Sequence, residues 1–267
     1  MNLEVLCGKV CEVAKAAGDF IQAESKKISS ADVEMKGHNN LVSYVDKKAE
    51  ELIVSSLEKI SPGSGFITEE KTVSETQKEI TWIIDPLDGT TNFIHKVPCY
   101  CVSIGMMVDG KLSLGVIYEP NLDEMFFGYA GGEARMNKQI IKVSPTPLLA
   151  NALLATGFPY HDYNLMEPYI EVFKSLMKDS RGLRRLGSAA VDLAYVACGR
   201  FDGFYEYGLN SWDVAAGAFL VELAGGKVSG FSGDENFLFG KEIVATNGKI
   251  HDELLNLIQK TFSKKKE

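Results

Sequence analysis

Trp82-Ile83-Ile84-Asp85-Pro86-Leu87-Asp88-Gly89-Thr90-Thr91-Asn92-Phe93 is the stretch on which the reading of this chain turns. Its apolar start reads as a strand that delivers Asp85 at its end. Pro86, without an N–H, stops the ladder, and Asp88-Gly89 forces a tight turn into the hydroxyls that follow. Two carboxylates three residues apart across such a turn can converge on one hard cation. Magnesium takes oxygen ligands in octahedral geometry, usually with retained water and a substrate phosphate, and suits such a pair. The Leu87 carbonyl, between the two acids, is a further candidate ligand. The same letters also read more plainly, because Asp-Pro and Asp-Gly are common turn formers whose carboxylates can merely cap the chain.

Outward from this stretch, two textures alternate. Upstream, Leu6, Val10, Val13, Ala17, Phe20 and Ile21 recur at helical spacing, which predicts one amphipathic helix over 3–25. A second helix is read from Ala49, Leu52, Ile53, Leu57 and Ile60; it is entered through Ser43-x-x-Asp46, a capping box with Asp for the usual Glu, and ended by Pro62-Gly63. Short apolar runs at 66–68, 81–84, 101–108, 112–118 and 124–129 predict strands, with Asp109-Gly110 as a hairpin turn. After Pro147 the pattern returns to strand and helix. We expect strands at 152–155 and 203–207 and helices at 167–178, 189–197 and 214–223, the last closed by Gly225-Gly226. Mixed sheets layered with helices are the natural packing. The chain has no Pro/Gly/Ser-rich spacer, so we expect a single unit over 1–267 made of two tightly packed α/β halves, about 1–145 and 146–267.

Further acids recur at the edges of these elements. Glu69-Glu70 follows an apolar strand, where adjacent like charges are unfavourable unless solvated or metal-bound. Asp213, in Asn210-Ser211-Trp212-Asp213, opens a helix, where an acid also interacts well with the helix dipole whether or not it binds anything. Glu206 sits among aromatics in Phe204-Tyr205-Glu206-Tyr207 and is either an exposed strand position or a buried acid with a polar partner.

Composition narrows the classes. With 267 residues, 45% of them hydrophobic, the chain can bury a core without disulfide or metal staples. The formal charge of −8 (28 basic against 36 acidic residues) makes nucleic acid and anionic lipid poor partners. The only basic run, Lys264-Lys265-Lys266, reads as a solvated tail. Five cysteines, odd in number and without paired CxxC spacing, read as thiols in a reducing, cytoplasmic setting, and no run reaches the length of a membrane span.

The DPLDGTTNF stretch at 85–93, the paired Glu69-Glu70, Trp212-Asp213 and the later Gly225-Gly226 resemble the signature motifs of the inositol monophosphatase family, with similarity from the first helix to about Asn247. The resemblance implies an α/β (α+β) fold, the layered α/β/α/β/α sandwich of the sugar-phosphatase type. It implies a magnesium-dependent, lithium-sensitive phosphomonoesterase that uses two or three Mg2+ ions per site and forms a homodimer. Position by position, Glu69, Asp85 and the Leu87 carbonyl would hold the first ion, and Asp85, Asp88 and Asp213 the second. Asp46 would work with Thr90, and with Glu69, to activate the attacking water. Gly89 and Thr90 would offer backbone N–H groups to phosphate oxygens. Substrate contacts would come from Glu69, Leu87, Asp88, Gly89, Thr90, Gly187, Ser188, Ala189, Glu206 and Asp213. Lys36 matches a lysine that the family places near the site. Arg184-Arg185 would reach an anionic substrate, form an interface, or be solvated.

The chain also departs from the pattern: Thr68 stands where the family usually has glycine, Lys71 where it has serine or threonine, and His95-Lys96 replaces the commoner His-Gly or His-Arg. Thr91-Asn92-Phe93 after the Gly-Thr favours inositol 1-phosphate or a similar polyol or sugar phosphate. Fructose 1,6-bisphosphate or NADP phosphatase activity is the alternative, and a non-catalytic binding or regulatory member of the fold is the alternative of a different class.

Overall fold

The computed structural model describes residues 1–27, 33–37, 40–159 and 163–263, with only the backbone of 33–37 and 40–42. The side chain of Lys36 and the tail Lys264-Lys265-Lys266 lie outside the described residues.

The chain begins with α1 (Leu3–Glu24), a hairpin of β1 (Val33–Gly37) and β2 (Asn40–Ser43), and α2 (Tyr44–Ile60). A sheet follows: β3 (Gly65–Thr68), β4 (Ile80–Asp88), then the short helix α3 (Thr90–Ile94), β5 (Cys101–Val108), β6 (Lys111–Glu119), β7 (Glu124–Tyr129), β8 (Arg135–Met136) and β9 (Gln139–Ile140). These strands lie in chain order, β3 parallel to β4 and every later pair antiparallel. The second half supplies β10 (Leu153–Thr156), α4 (Met166–Asp179), β11 (Gly182–Arg184), α5 (Ala189–Ala197), β12 (Gly203–Tyr207), α6 (Ser211–Leu223), β13 (Lys227–Ser229), β14 (Glu242–Thr246) and α7 (His251–Ser263). Its sheet has the order β11-β10-β12-β14-β13.

Which layer each helix occupies follows from how its apolar residues are distributed. In α1 and α2 they form one stripe, including Val10, Ala17, Ile21, Ile53 and Leu57, and this stripe packs on the outer face of the first sheet. Helices α5 and α6 are apolar nearly all round, with Val214–Val221 buried without a break, so they can lie only between layers. They fill the space between the two sheets, while Tyr169, Val172 and Leu176 of α4 and Leu254 and Ile258 of α7 cover the far face of the second. The result is the layered α/β/α/β/α sandwich. Each fully buried Leu, Ile or Val contributes about 1.5–3 kcal/mol to holding these layers together.

Two glycines set how closely the inner layer approaches. A Cβ on Gly105 would lie 2.8 Å from the Ala215 Cβ, and one on Gly115 2.7 Å from the Ala216 carbonyl oxygen. Their absence lets the first turns of α6 settle onto β5 and β6, beside the end of β4.

The predicted elements are present, together with a β1–β2 hairpin and short strands β8, β9 and β11 that the sequence pattern did not predict, and with three further differences. Strand β4 runs past Pro86 to Asp88, because the ladder does not stop but bulges: Asp85 pairs with Ser103 and Asp88 with Cys101, leaving Pro86 and Leu87 opposite the single Val102. Helix α6 starts at Ser211, before the apolar run. Strands β13 and β14 and helix α7 follow the last element read from sequence. Ile243-Val244-Ala245 is too short a run to assign by period alone. All five cysteines are free thiols. No helix of the described residues is long and apolar enough to cross a membrane.

Candidate active site

Asp85 stands at the point where β4 bulges, and its Oδ1 accepts the Leu87 N–H at 2.9 Å, so the acid folds the chain back over itself. That turn places Asp88 against the start of α5, where its Oδ2 accepts from Ser188 Oγ (2.6 Å) and Ala190 N (2.7 Å). Asp213 arrives from the opposite half on the first turn of α6. One carboxylate oxygen from each of Asp85, Asp88 and Asp213 lies within 4.8 Å of the others. Glu69, from the loop after β3, lines the same cleft, and its charge bears on Asp85.

This crowding is electrostatically uphill. Burial, then the charges of Glu69, Asp88 and Asp213, hold the Asp85 carboxyl well above the usual carboxylate range. Burial pushes Asp88 to about 6 against the bonds from Ser188 and Ala190, and burial with the Asp88 charge pushes Asp213 to about 7. Glu206, buried on β12, is pushed up to about 8 by burial and by Asp213, with the Arg185 charge pulling the other way. A cluster of this kind has the wrong charge for an apolar or anionic occupant alone. Its donors are all hard oxygens, so it fits a hard divalent cation.

Capping and cleft roles coincide at two acids. Asp46 divides its oxygens: Oδ2 accepts Ser43 N (2.9 Å) and Ser43 Oγ (2.7 Å) as the capping box of α2, while Oδ1 accepts Thr90 Oγ1 at 3.0 Å. Thr90 Oγ1 also lies 3.0 Å from the Leu87 carbonyl oxygen, which keeps a second lone pair. Asp213 accepts Asn210 N at 2.6 Å as the capping box of α6 and still joins the acidic trio.

Gly89 caps α3 at φ +96, a left-handed conformation that a side chain would strain. The N-termini of α3, α5 and α6 all open onto the cleft, through Thr90, Ala189 and Trp212-Asp213. Gly187 and Ala189 line it as well; the Ser188 hydroxyl is occupied by Asp88. Arg185 also reaches the cleft, its guanidinium over the Phe158 ring at 5.5 Å, whereas Arg184 is exposed and bonds the Leu183 carbonyl.

Three residues of the site escaped the sequence reading. Asp192 is a buried acid facing the charges of Glu206 and Asp88, and its Oδ1 has no hydrogen bond among the described residues; its signal was a lone acid in the otherwise apolar Ala189–Ala197. Asn92 Nδ2 bridges the Cys99 (2.7 Å) and Leu186 (2.8 Å) carbonyls and so ties the two sides of the cleft. Gly157 makes room for Glu206: a Cβ there would fall 2.0 Å from its Oε2. Asn92 stood in the 85–93 motif without an assigned role, and no local pattern marks Gly157.

An acidic trio between two sheets, faced by helix N-termini, is an arrangement suited to a divalent cation with an anionic ligand. The chain belongs to the inositol monophosphatase family, whose profile matches residues 2–263. It is 38% identical over 264 residues to an inositol-1-monophosphatase of Mesorhizobium japonicum, covering 98% of this chain and 99% of that one. It is 42% identical over 251 residues to the Nus factor SuhB of Pseudomonas aeruginosa, covering 92% and 93%. Among solved structures it is similar to the extragenic suppressor protein suhB of Bartonella henselae (TM-score 0.91, 36% identity, 96% and 99% covered). It is also similar to an inositol monophosphatase of Anabaena (TM-score 0.86, 39% identity, 97% of each).

Proposed function

We propose that this protein is a magnesium-dependent phosphomonoesterase that hydrolyses inositol 1-phosphate or a similar polyol phosphate to the alcohol and inorganic phosphate. The observation that carries the reading is the meeting of Asp85, Asp88 and Asp213 from the two halves of the chain beside the Asp46–Thr90 hydrogen bond. Glu69, Asp85 and the Leu87 carbonyl would hold one ion and Asp85, Asp88 and Asp213 another. Bound there, magnesium neutralises phosphate charge, lowers the pKa of water and stabilises the leaving alkoxide.

The chain's own groups do the rest. Asp46, with one oxygen held by Ser43, keeps the other on Thr90 Oγ1, so the threonine hydroxyl gives its hydrogen to Asp46 and presents lone pairs that accept from a water. Glu69, which lines the same cleft, would assist in activating that water. Backbone N–H groups at Gly89 and Thr90 would address the phosphate oxygens, and Glu206 with the 187–189 segment the polyol hydroxyls. Ser188 acts through Asp88, which it holds at 2.6 Å, more than through substrate.

The reading includes a homodimer in a cytoplasmic setting, which sedimentation and fractionation would check. The similarity to Nus factors motivates a second reading, a regulatory role that binds through this fold without turnover. Phosphate release from inositol 1-phosphate, fructose 1,6-bisphosphate and NADP, with magnesium and with chelator, separates the two. Magnesium-dependent release led by inositol 1-phosphate and inhibited by lithium is expected; no release from any substrate would move the weight to the second reading.

A further inference from the structure

Directly behind the cleft, Glu50 on α2 is completely buried. A buried carboxylate is tolerated only when its oxygens are served, and both are. Its Oε1 accepts from Thr68 Oγ1 (2.9 Å), Thr72 N (2.7 Å) and Thr72 Oγ1 (2.7 Å), and its Oε2 accepts the Glu70 N–H at 2.7 Å. Every one of these donors belongs to residues 68–72, the loop that carries Glu69. The loop leaves β3 at Thr68 and turns back through Lys71, whose φ of +55 brings Thr72 round to the same carboxylate. The Glu69 N–H meanwhile bonds the Ile84 carbonyl at 3.3 Å, on the strand that delivers Asp85.

We propose that Glu50 is a positioning residue for the cation site, an inference that rests on the reading of Glu69 as a metal ligand. By gripping the chain on both sides of Glu69, it fixes the distance between that residue and Asp85 before any ion arrives. Thr68, which departs from the family's usual glycine, contributes one of the four bonds, so the departure strengthens the grip instead of disturbing it. A glutamine at position 50 keeps one acceptor oxygen but sets an NH2 donor where the other accepted, and an alanine removes both. The cost then falls on loop order, and through it on metal affinity.

The test compares the full-length protein with Glu50→Gln by amide hydrogen exchange of 68–72 without metal, by calorimetric titration with Mg2+, and by kcat and KM at saturating Mg2+. Faster exchange at Glu70 and Thr72 is expected, with an Mg2+ dissociation constant raised about tenfold, the usual effect of removing a residue that orients a ligand. kcat at saturating metal and KM should change little. If Glu50→Gln does not fold, the milder pair Thr68→Val and Thr72→Val should move exchange and affinity in the same direction. A folded variant that melts earlier but binds Mg2+ as tightly as the wild type overturns the proposal, since Glu50 would then be structural only. A wild type that binds no Mg2+ overturns the reading beneath it and takes this inference with it.

Discussion

Glu50 behind the cleft and Asp85 inside it are both buried acids, and the protein surrounds them in opposite ways. Glu50 receives four hydrogen bonds, and Asp202, another buried acid of the frame, receives Leu153 N at 2.6 Å and the Ser144 hydroxyl. Asp85 receives the Leu87 N–H, shares a side-chain hydrogen bond with Asp213, and meets the charges of Glu69, Asp88 and Asp213. Glu50 and Asp202, which hold loops together, are matched to donors; Asp88 and Asp213 combine donors with crowding, and Asp85 and Asp192 at the cleft are the acids left short of them. Deficient compensation costs stability in the metal-free fold, and it reserves the cluster for a cation.

That contrast can be broken most forcefully at Asp85. Asp85→Asn keeps the acceptor for Leu87 N but removes a charge from the cluster, so metal-dependent phosphate release should fall about a thousandfold. The metal-free variant should melt above the wild type, because repulsion is relieved; a loss of both activity and stability would mean that Asp85 belongs with the frame. The next effect lies in the frame and concerns its buried base. His251 sits between Ser229 Oγ and Thr246 Oγ1, both at 3.1 Å from its ring nitrogens, and burial, with Lys227 nearby, lowers it to about 4 from an ordinary 6.5. The unfolded chain takes up a proton that the folded one refuses. The stability contributed by neutral His251 is therefore full above pH 6.5 and is lost as pH falls toward 4, by about 3 kcal/mol in all. Denaturant midpoints at pH 7 and pH 4.5 should differ more for wild type than for His251→Gln.

A smaller effect is expected at Asp202. Asp202→Asn leaves Leu153 N or the Ser144 hydroxyl without its acceptor and should cost about 2 kcal/mol of stability, with the kinetics of the folded fraction unchanged. Altered metal dependence in this variant would blur the division between frame and cleft. Ser188→Ala tests the boundary itself, since it strips one donor from Asp88 while keeping Ala190 N. A rise in the Mg2+ requirement of about threefold, with little change in melting temperature, would place Ser188 with the site.

Much of this was legible along the chain, for reasons that differ by element. Asp85 and Asp88 could be read because a strand, a proline and a turn in one stretch aim both acids the same way. Asp46 and Asp213 were legible from their own surroundings only as helix caps, with their further partners implied by the family resemblance; the fold shows the Asp46–Thr90 bond and brings Asp213 to Asp85 and Asp88. Gly157 and the grip of Glu50 on residues 68–72 had no local signal, and Asn92 stood in the motif without a visible role: each acts on groups distant in sequence, 94 residues away for the bond from Asn92 to Leu186.

Period, turn chemistry and motif order determined from the sequence alone that layers of strand and helix would form and which acids stood at their ends. Those signals are local, set by backbone sterics and by which face of an element is apolar. The tertiary structure decided which acids share one cation-sized space and which are paid off with donors. The first depends on how closely α6 settles over Gly105 and Gly115 to bring Asp213 against Asp85, a distance between halves that no single stretch of chain encodes; the second depends on contacts such as that of Glu50 with residues 68–72, some 20 residues along the chain.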